Sequence, residues 1–144
     1  KIKTATYYRS NLKGVGDIGF QIIQDGVESN EWLFTITTSS MQELLEYLNA
    51  NGIMSRPFWI PMNQLPMYID NVYVNRSDVS ARIHSTSLSI PCSTNIIQSD
   101  LEKVVSTIRM FFERRWVTQR ILGVVVSGIT LKAIDGLCPR KCPK

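Results

Sequence analysis

The sequence has few of the residues that nucleophilic or metal chemistry needs: one histidine, His84, and three cysteines. A single histidine excludes a histidine-based catalytic triad or a multi-histidine metal site within one chain. Cys138 and Cys142 lie close together without a second ligand pair nearby, so we expect free thiols there. Cys92 is expected to be a small, partly buried side chain. The sequence therefore predicts no metal site and no histidine-based catalytic site in this chain.

The sequence also lacks a long apolar run, and its excess of positive charge is not spread evenly along the chain. The apolar run 121–134 is shorter than the roughly 20 residues of a membrane-spanning helix, and no secretory signal opens the chain. We therefore expect a cytoplasmic protein without membrane contact. The net charge of +4 comes from residues 109–144, which carry eight basic and two acidic residues, against eight and ten before them. These basic residues follow no recognition motif, so no nucleic-acid partner is expected.

Two stretches carry the periodicity of amphipathic helices. Apolar residues recur at i, i+3, i+4 and i+7 after Ser40, and a similar stripe follows Ser99. A glutamate follows each serine at the third position, Glu43 and Glu102, which predicts a capping box at both helix starts. Gly52 follows the first helix as a stop signal. The side chains predicted to face the core are Met41, Leu44, Leu45, Leu48, Leu101, Val104, Val105, Ile108 and Phe112.

Shorter segments complete a mixed pattern of helices and strands. A weaker helix is predicted after Ser77, and the opening residues up to Leu12 are expected to belong to another. Trp32, Phe34 and Ile36 alternate with their neighbours, which predicts a strand with one buried face. Further strands are expected at 20–23, 53–58 and 88–91. This order predicts an α/β fold of the two-layer α+β type, a small sheet covered by helices on one face.

The glycines of residues 14–19 match the G-x-G-x-x-G pattern of phosphate-binding loops. That pattern needs a strand before it and a helix starting within it. Here a helical segment precedes it and a strand follows it. We therefore interpret residues 14–19 as a connector.

Residues 51–68 combine three prolines with polar and aromatic side chains. Proline fixes its own backbone and favours extended geometry in the residue before it, so this segment is expected to be stiff and non-helical. Polar groups on such a loop are a common way to build a binding surface. The candidate binding residues of this segment are Arg56, Trp59, Asn63 and Tyr68. From its own chemistry, Arg56 is either a solvated strand-end charge or a fork for a carboxylate or phosphate.

Four stretches in order resemble the C-terminal domain of the DegT/DnrJ/StrS sugar aminotransferases, namely 29–36, 44–68, 88–93 and 99–108. The resemblance is strongest to the branch that makes amino sugars for nonulosonic acids and surface polysaccharides. It covers roughly residues 1–112 and implies the C-terminal small domain of a fold-type I aminotransferase there. Residues 113–144 carry no such resemblance and form an unassigned basic and apolar tail.

The resemblance also implies a function. Enzymes of this family use pyridoxal phosphate to transfer an amino group, usually from glutamate, to a keto group on a nucleotide-linked sugar. The resemblance further implies a homodimer, and substrate contacts by Arg56, Trp59 and Asn63. Many relatives have a histidine where Asn63 stands. An amide can bond a sugar hydroxyl but cannot titrate, so an acid–base role is not transferred to Asn63.

The cofactor-binding parts of such enzymes are expected to lie upstream of this segment. They include a lysine that holds pyridoxal phosphate as a Schiff base and an acid for the pyridinium nitrogen. None of the lysines matches that context, namely Lys1, Lys3, Lys13, Lys103, Lys132, Lys141 and Lys144. We therefore expect a fragment that does not bind the cofactor covalently and is inactive alone. A stand-alone binding or regulatory module, and a binder of anionic surfaces through the tail, are the alternatives.

Overall fold

The computed structural model describes the backbone of residues 1–126 and the side chains of residues 1–118. Within that range the α-helices are α1 (Ile2–Leu12), α2 (Met41–Ala50), α3 (Val79–Thr86) and α4 (Gln98–Val126). The strands there are β1 (Gly19–Phe20), β2 (Phe34–Thr37), β3 (Arg56–Pro57) and β4 (Ser87–Ile90). A 3₁₀ turn covers Met62–Gln64.

The strands pair in the order β1-β2-β4-β3, and every pair is antiparallel. Phe34 lies opposite Ile90, and Ile36 lies opposite Leu88, so the buried side chains of β2 and β4 share one face. The other face is polar, and the hydroxyl oxygens of Thr35 and Ser89 lie 3.1 Å apart there. This small antiparallel sheet with helices confirms the predicted fold class.

The core lies between the apolar face of the sheet and the helices. Its fully buried side chains come from α1, α2, α4 and the sheet: Tyr8, Leu12, Leu44, Leu48, Ile108, Ile36 and Leu88. Tyr8 is a polar member of this set, and its hydroxyl donates a hydrogen bond to the Pro91 carbonyl oxygen at 2.7 Å. Burial raises the pKa of the Tyr8 phenol far above its ordinary value. The predicted stripes are confirmed except at the last position, where Phe111 is buried and Phe112 only partly so.

The predicted capping boxes are wrong. Ser40 precedes α2, but its hydroxyl makes no capping bond to the described backbone. Its backbone lies at φ −102° and ψ 31°, outside the extended geometry from which a serine caps. The helix predicted to start after Ser99 begins two residues earlier, at Gln98, so Ser99 lies inside it. Glu102 instead accepts a hydrogen bond from the Gln98 amide, one turn before it, at 3.0 Å.

Several strand boundaries also differ from the prediction. The strand β2 begins at Phe34, so Trp32 lies before it on an exposed loop. The strand expected at 53–58 is paired only at Arg56–Pro57, partly because proline has no N–H for the ladder. The weaker helix is confirmed, but it follows Asp78 rather than Ser77, with Asp78 in the left-handed region at φ 47°.

Residues Lys1–Phe112 form one compact unit, and a second unit begins at Glu113. The helix α4 continues to Val126, so the first residues of the apolar run 121–134 are helical. The rest of that run, with Cys138 and Cys142, lies outside the described residues. The functional division at residue 112 stays a prediction. No helix within residues 1–126 combines the length and apolar character that a membrane crossing requires.

The glycine-rich connector is attached to the start of α2 through Asp17. Helix α1 precedes this connector and β1 follows it, as the connector interpretation requires. The Asp17 carboxylate accepts hydrogen bonds from the Ser39 amide at 2.8 Å, the Ser39 hydroxyl at 2.6 Å and the Thr38 hydroxyl at 2.5 Å. Partial burial raises the pKa of Asp17, but the bonds from Ser39 and Thr38 outweigh it, so that pKa lies below its ordinary value.

Asp17→Asn is expected to lower the free energy of unfolding at pH 7 by roughly 1 kcal/mol, since it weakens three charge-assisted bonds at an exposed site. Because the folded pKa is below the unfolded value of about 3.9, this stabilisation is complete above that value. It is lost as the pH falls through the folded pKa. Urea titrations should therefore show the gap between native chain and variant closing below about pH 4. A gap independent of pH would contradict the assignment.

Candidate functional site

The segment after β3 is anchored at its start. The Phe58 amide donates to the Ser87 carbonyl oxygen at 3.0 Å. Nδ1 of His84 lies 2.7 Å from the Phe58 carbonyl oxygen, a contact in which the imidazole N–H donates. Pro61 is buried and begins the 3₁₀ turn at φ −56°. His84 therefore has a structural role and supports the loop that carries the candidate residues.

An open groove of about 950 Å³, here called the Arg56 groove, lies beside β3. Its walls include Arg56, Trp59, Trp32 and Ser89, and the remaining lining is apolar. Arg56 is exposed, and its guanidinium Nη2 lies 3.9 Å from the Met54 sulfur. Within residues 1–118 no carboxylate lies within ion-pair distance of it. Its charge and its planar donors are therefore available to an anion.

Two exposed indoles meet at the Arg56 groove. The ring centroids of Trp32 and Trp59 are 6.2 Å apart at an angle of 43°, and each side chain is 62% exposed. The Phe58 ring packs 5.5 Å from Trp59. Trp32 was not among the predicted site residues, because its alternation with Phe34 and Ile36 predicts a position on a strand. Ser29 and Asn30 just before it are turn formers, and they are the signal that could have identified an exposed loop.

Asn63 lies in a neighbouring groove of about 480 Å³, here called the Asn63 groove. Tyr68, Asn71 and Ser80 also line it, so its polar groups are neutral. Ile60 and Met62 line both grooves. The structure therefore brings Arg56 and Trp59 together and separates Asn63 from them by a shared apolar wall. The substrate roles of these three residues stay predictions.

Solved structures share this fold. DesV from S. venezuelae, solved in complex with a ketimine intermediate, has a TM-score of 0.71 at 24% identity, over 78% of this chain and 31% of its own. Helicobacter pylori PseC, an aminotransferase involved in the biosynthesis of pseudoaminic acid, has a TM-score of 0.65 at 18% identity, over 78% and 32%. This chain thus spans about a third of the length of these relatives. No curated protein matches it.

The fold is that of one part of the sugar aminotransferases. The family model described as the DegT/DnrJ/EryC1/StrS aminotransferase family matches residues 1–109. The chain belongs to this family, as its sequence resemblance predicts. The match ends within α4, shortly before the compact unit ends at Phe112.

Spr1654 from Streptococcus pneumoniae, another solved relative, occurs in PLP and PMP forms. Its TM-score is 0.67 at 16% identity, over 78% of this chain and 30% of its own. An enzyme that uses pyridoxal phosphate holds it as a Schiff base on a lysine. The described lysines line neither groove, and the Lys1 ammonium donates to the carbonyl oxygens of Cys92 and Trp32. The described residues therefore do not fit a covalently held cofactor at either groove.

Proposed function

We propose that this chain is the C-terminal part of a pyridoxal-phosphate aminotransferase that transfers an amino group, from glutamate, to the keto group of a nucleotide-linked sugar. The observation that carries the proposal is Arg56, a guanidinium without an acidic partner in the described residues, in an apolar groove on a domain of this family. A nucleotide-linked sugar offers the diphosphate that such a fork binds.

The chain's own residues bind and orient this substrate in the proposal. Arg56 holds the diphosphate, and Trp59 packs against an apolar ring face beside it. Asn63 donates to or accepts from a sugar hydroxyl in the neighbouring groove, without moving a proton, because an amide does not titrate. The described residues make or break no bond in the reaction, and the chain alone is inactive.

The finer assignments belong to the same proposal. We assign the enzyme to the nonulosonic acid and surface polysaccharide branch, which the similarity to PseC supports. It acts as a homodimer in the cytoplasm, where charged nucleotide-linked sugars are available. It has no nucleic-acid partner and no membrane partner.

Arg56→Ala is expected to weaken the binding of a uridine diphosphate hexose to the chain by about ten- to a hundredfold. A hydrogen bond to a charged group is worth about 1.5 to 3 kcal/mol, and the loss of one corresponds to that factor. The affinity of Arg56→Lys should lie between those of the native chain and Arg56→Ala, because lysine keeps the charge and loses the planar fork. Ligand-observed NMR titration measures all three affinities.

Arg76→Ala is the matched control, since Arg76 is an exposed arginine before α3 that lines neither groove. It removes one positive charge from the same unit, so a general electrostatic effect would weaken binding equally in both variants. Equal affinities of Arg56→Ala and Arg76→Ala would contradict the proposed role of Arg56.

A second expected result concerns the cofactor. Borohydride reduction of the chain with pyridoxal phosphate should label no single lysine stoichiometrically, and glutamate with a keto-sugar nucleotide should give no product. The physical reason is that a specific and productive Schiff base needs a lysine held beside the substrate site. Mass spectrometry of the reduced protein measures the labelling. One fully labelled lysine together with turnover would refute the inactivity of the chain.

A further inference from the structure

The loop that carries Trp32 is strained and held by many contacts. Glu31 has φ 48°, in the left-handed region that residues with a side chain rarely adopt. The Ser29 hydroxyl accepts a hydrogen bond from the Glu31 amide at 3.2 Å. The Asn30 side-chain oxygen accepts one from the Trp32 amide at 3.0 Å. The Glu31 carboxylate pairs with Arg9 at 3.5 Å. Strained backbone persists where surrounding contacts over-determine it, often at ligand clamps.

The backbone after this turn is fixed as well. The Trp32 carbonyl oxygen accepts a hydrogen bond from the Lys1 ammonium at 3.3 Å and lies 3.5 Å from the Cys92 thiol, which donates to it. These contacts reach the start of α1 and the segment after β4. The loop is therefore rigid at Trp32, although the side chain it presents is an exposed indole.

Trp32 and Trp59 are only slightly buried by the residues that the structure describes. Trp32 and Trp59 each keep 62% of their surface exposed, so most of the stabilisation that burying an indole gives is absent. Trp59 is also presented rigidly, between Pro57 and Pro61. Two stiff backbone segments, distant in sequence, thus bring exposed rings to 6.2 Å from each other. Rigid, exposed aromatic rings bind a planar ligand at a low cost in entropy.

The residues around the two indoles indicate whether the indoles bind a sugar ring or an aromatic ring. A sugar ring carries several hydroxyls that need hydrogen-bond partners, and the Asn63 groove offers amides, phenols and a hydroxyl. The Arg56 groove offers mainly apolar walls, with Ser89 and the Arg56 guanidinium as its polar groups. This combination suits an aromatic ring attached to an anion.

We propose that Trp32 and Trp59 form a stacking platform for the nucleobase of a nucleoside diphosphate group, with its phosphates on Arg56. This inference rests on the proposed function and deepens it, because it assigns the nucleotide end of the substrate to the Arg56 groove and the sugar end to the Asn63 groove. Base stacking tolerates different bases, because every base has a π face.

The test uses the indole N–H signals of the full chain in a ¹⁵N NMR spectrum. The chain has three tryptophans, and a Trp116→Phe variant assigns the third signal, which lies outside the Arg56 groove. The probes are uridine diphosphate, inorganic pyrophosphate and methyl glucoside. Uridine diphosphate should shift the Trp32 and Trp59 signals and leave Trp116 in place. Pyrophosphate should bind through Arg56 with smaller indole shifts.

Trp32→Ala or Trp59→Ala should weaken uridine diphosphate binding by roughly five- to a hundredfold, the range for one stacked base. Pyrophosphate binding should be unchanged, and Trp32→Phe should restore most of the affinity for uridine diphosphate because phenylalanine keeps a stacking face. Retained pyrophosphate binding also shows that the alanine variants are folded.

The outcomes separate this inference from the proposed function. If uridine diphosphate binds through Arg56 but both alanine variants keep full affinity, the platform is refuted and the proposed function stands. The platform is also refuted if methyl glucoside moves the indole signals more than uridine diphosphate does, because the rings then hold the sugar. If neither uridine diphosphate nor a nucleotide-linked hexose binds at all, both proposals fail.

Discussion

Replacing Ile108 with alanine is expected to lower the free energy of unfolding by about 3 to 4 kcal/mol. Ile108 is fully buried on α4, among the core side chains of α1, α2 and the sheet. Its truncation removes buried methyl and methylene groups and leaves a cavity that the surrounding structure fills only in part. Urea unfolding followed by circular dichroism measures the change.

Lys103→Ala is the control, because Lys103 lies on the same helix and is exposed. Both substitutions introduce alanine into α4, so the difference between them isolates burial from helix propensity. The control should cost less than about 0.5 kcal/mol. Similar losses in both variants would show that the assigned faces of α4 are wrong.

Gly16→Ala is expected to lower the free energy of unfolding by about 2 to 5 kcal/mol. Gly16 has φ 54°, a conformation that costs a residue with a Cβ roughly 1 to 2 kcal/mol. A Cβ at this position would also overlap Cδ1 of Phe112, so the partly buried ring must move, at a cost of about 1 to 3 kcal/mol. Thermal and urea unfolding measure the combined loss.

Gly14→Ala separates the cost of the backbone conformation from the cost of the clash with Phe112. Gly14 has φ 78°, but nothing lies within 4 Å of the position that a Cβ would occupy, so only the backbone cost of roughly 1 to 2 kcal/mol applies. In the double variant Gly16→Ala with Phe112→Ala, the clash is absent, so the two single losses should not add. Additive losses would show that Gly16 and Phe112 do not meet.

The glycine-rich connector has features that no local pattern explains. A phosphate loop needs a strand before its glycines and a helix after them. In this chain a helix precedes residues 14–19 and a strand follows them, as the sequence predicts. The reason for a glycine at position 16 could not be found in the sequence, since Phe112 is distant along the chain. The bonds from Ser39 and Thr38 to Asp17 were hidden for the same reason.

The candidate site was predicted only in part. The proline segment was recognisable locally, because proline restricts backbone geometry wherever it stands. Its partner Trp32 was not recognisable, since the alternation of Trp32 with Phe34 and Ile36 suggested a longer strand. Only the pairing of β2 with β4 and of β4 with β3 brings the loop of Trp32 to the segment of Trp59. Asn63, close to Trp59 in sequence, lies in the other groove because it stands within the 3₁₀ turn Met62–Gln64, which follows Trp59.

The sequence by itself determined the helices, their core faces, the fold class and the family, because each depends on periodicity, composition or ordered motifs that a linear chain displays. Tertiary structure decided the start of α4, which places Ser99 inside the helix, and the absence of a capping bond from Ser40 at the correctly predicted start of α2. It also decided which exposed side chains share a groove. Such pairs depend on strand register and on contacts between distant segments, and no local pattern encodes the distance between two residues that only folding brings together.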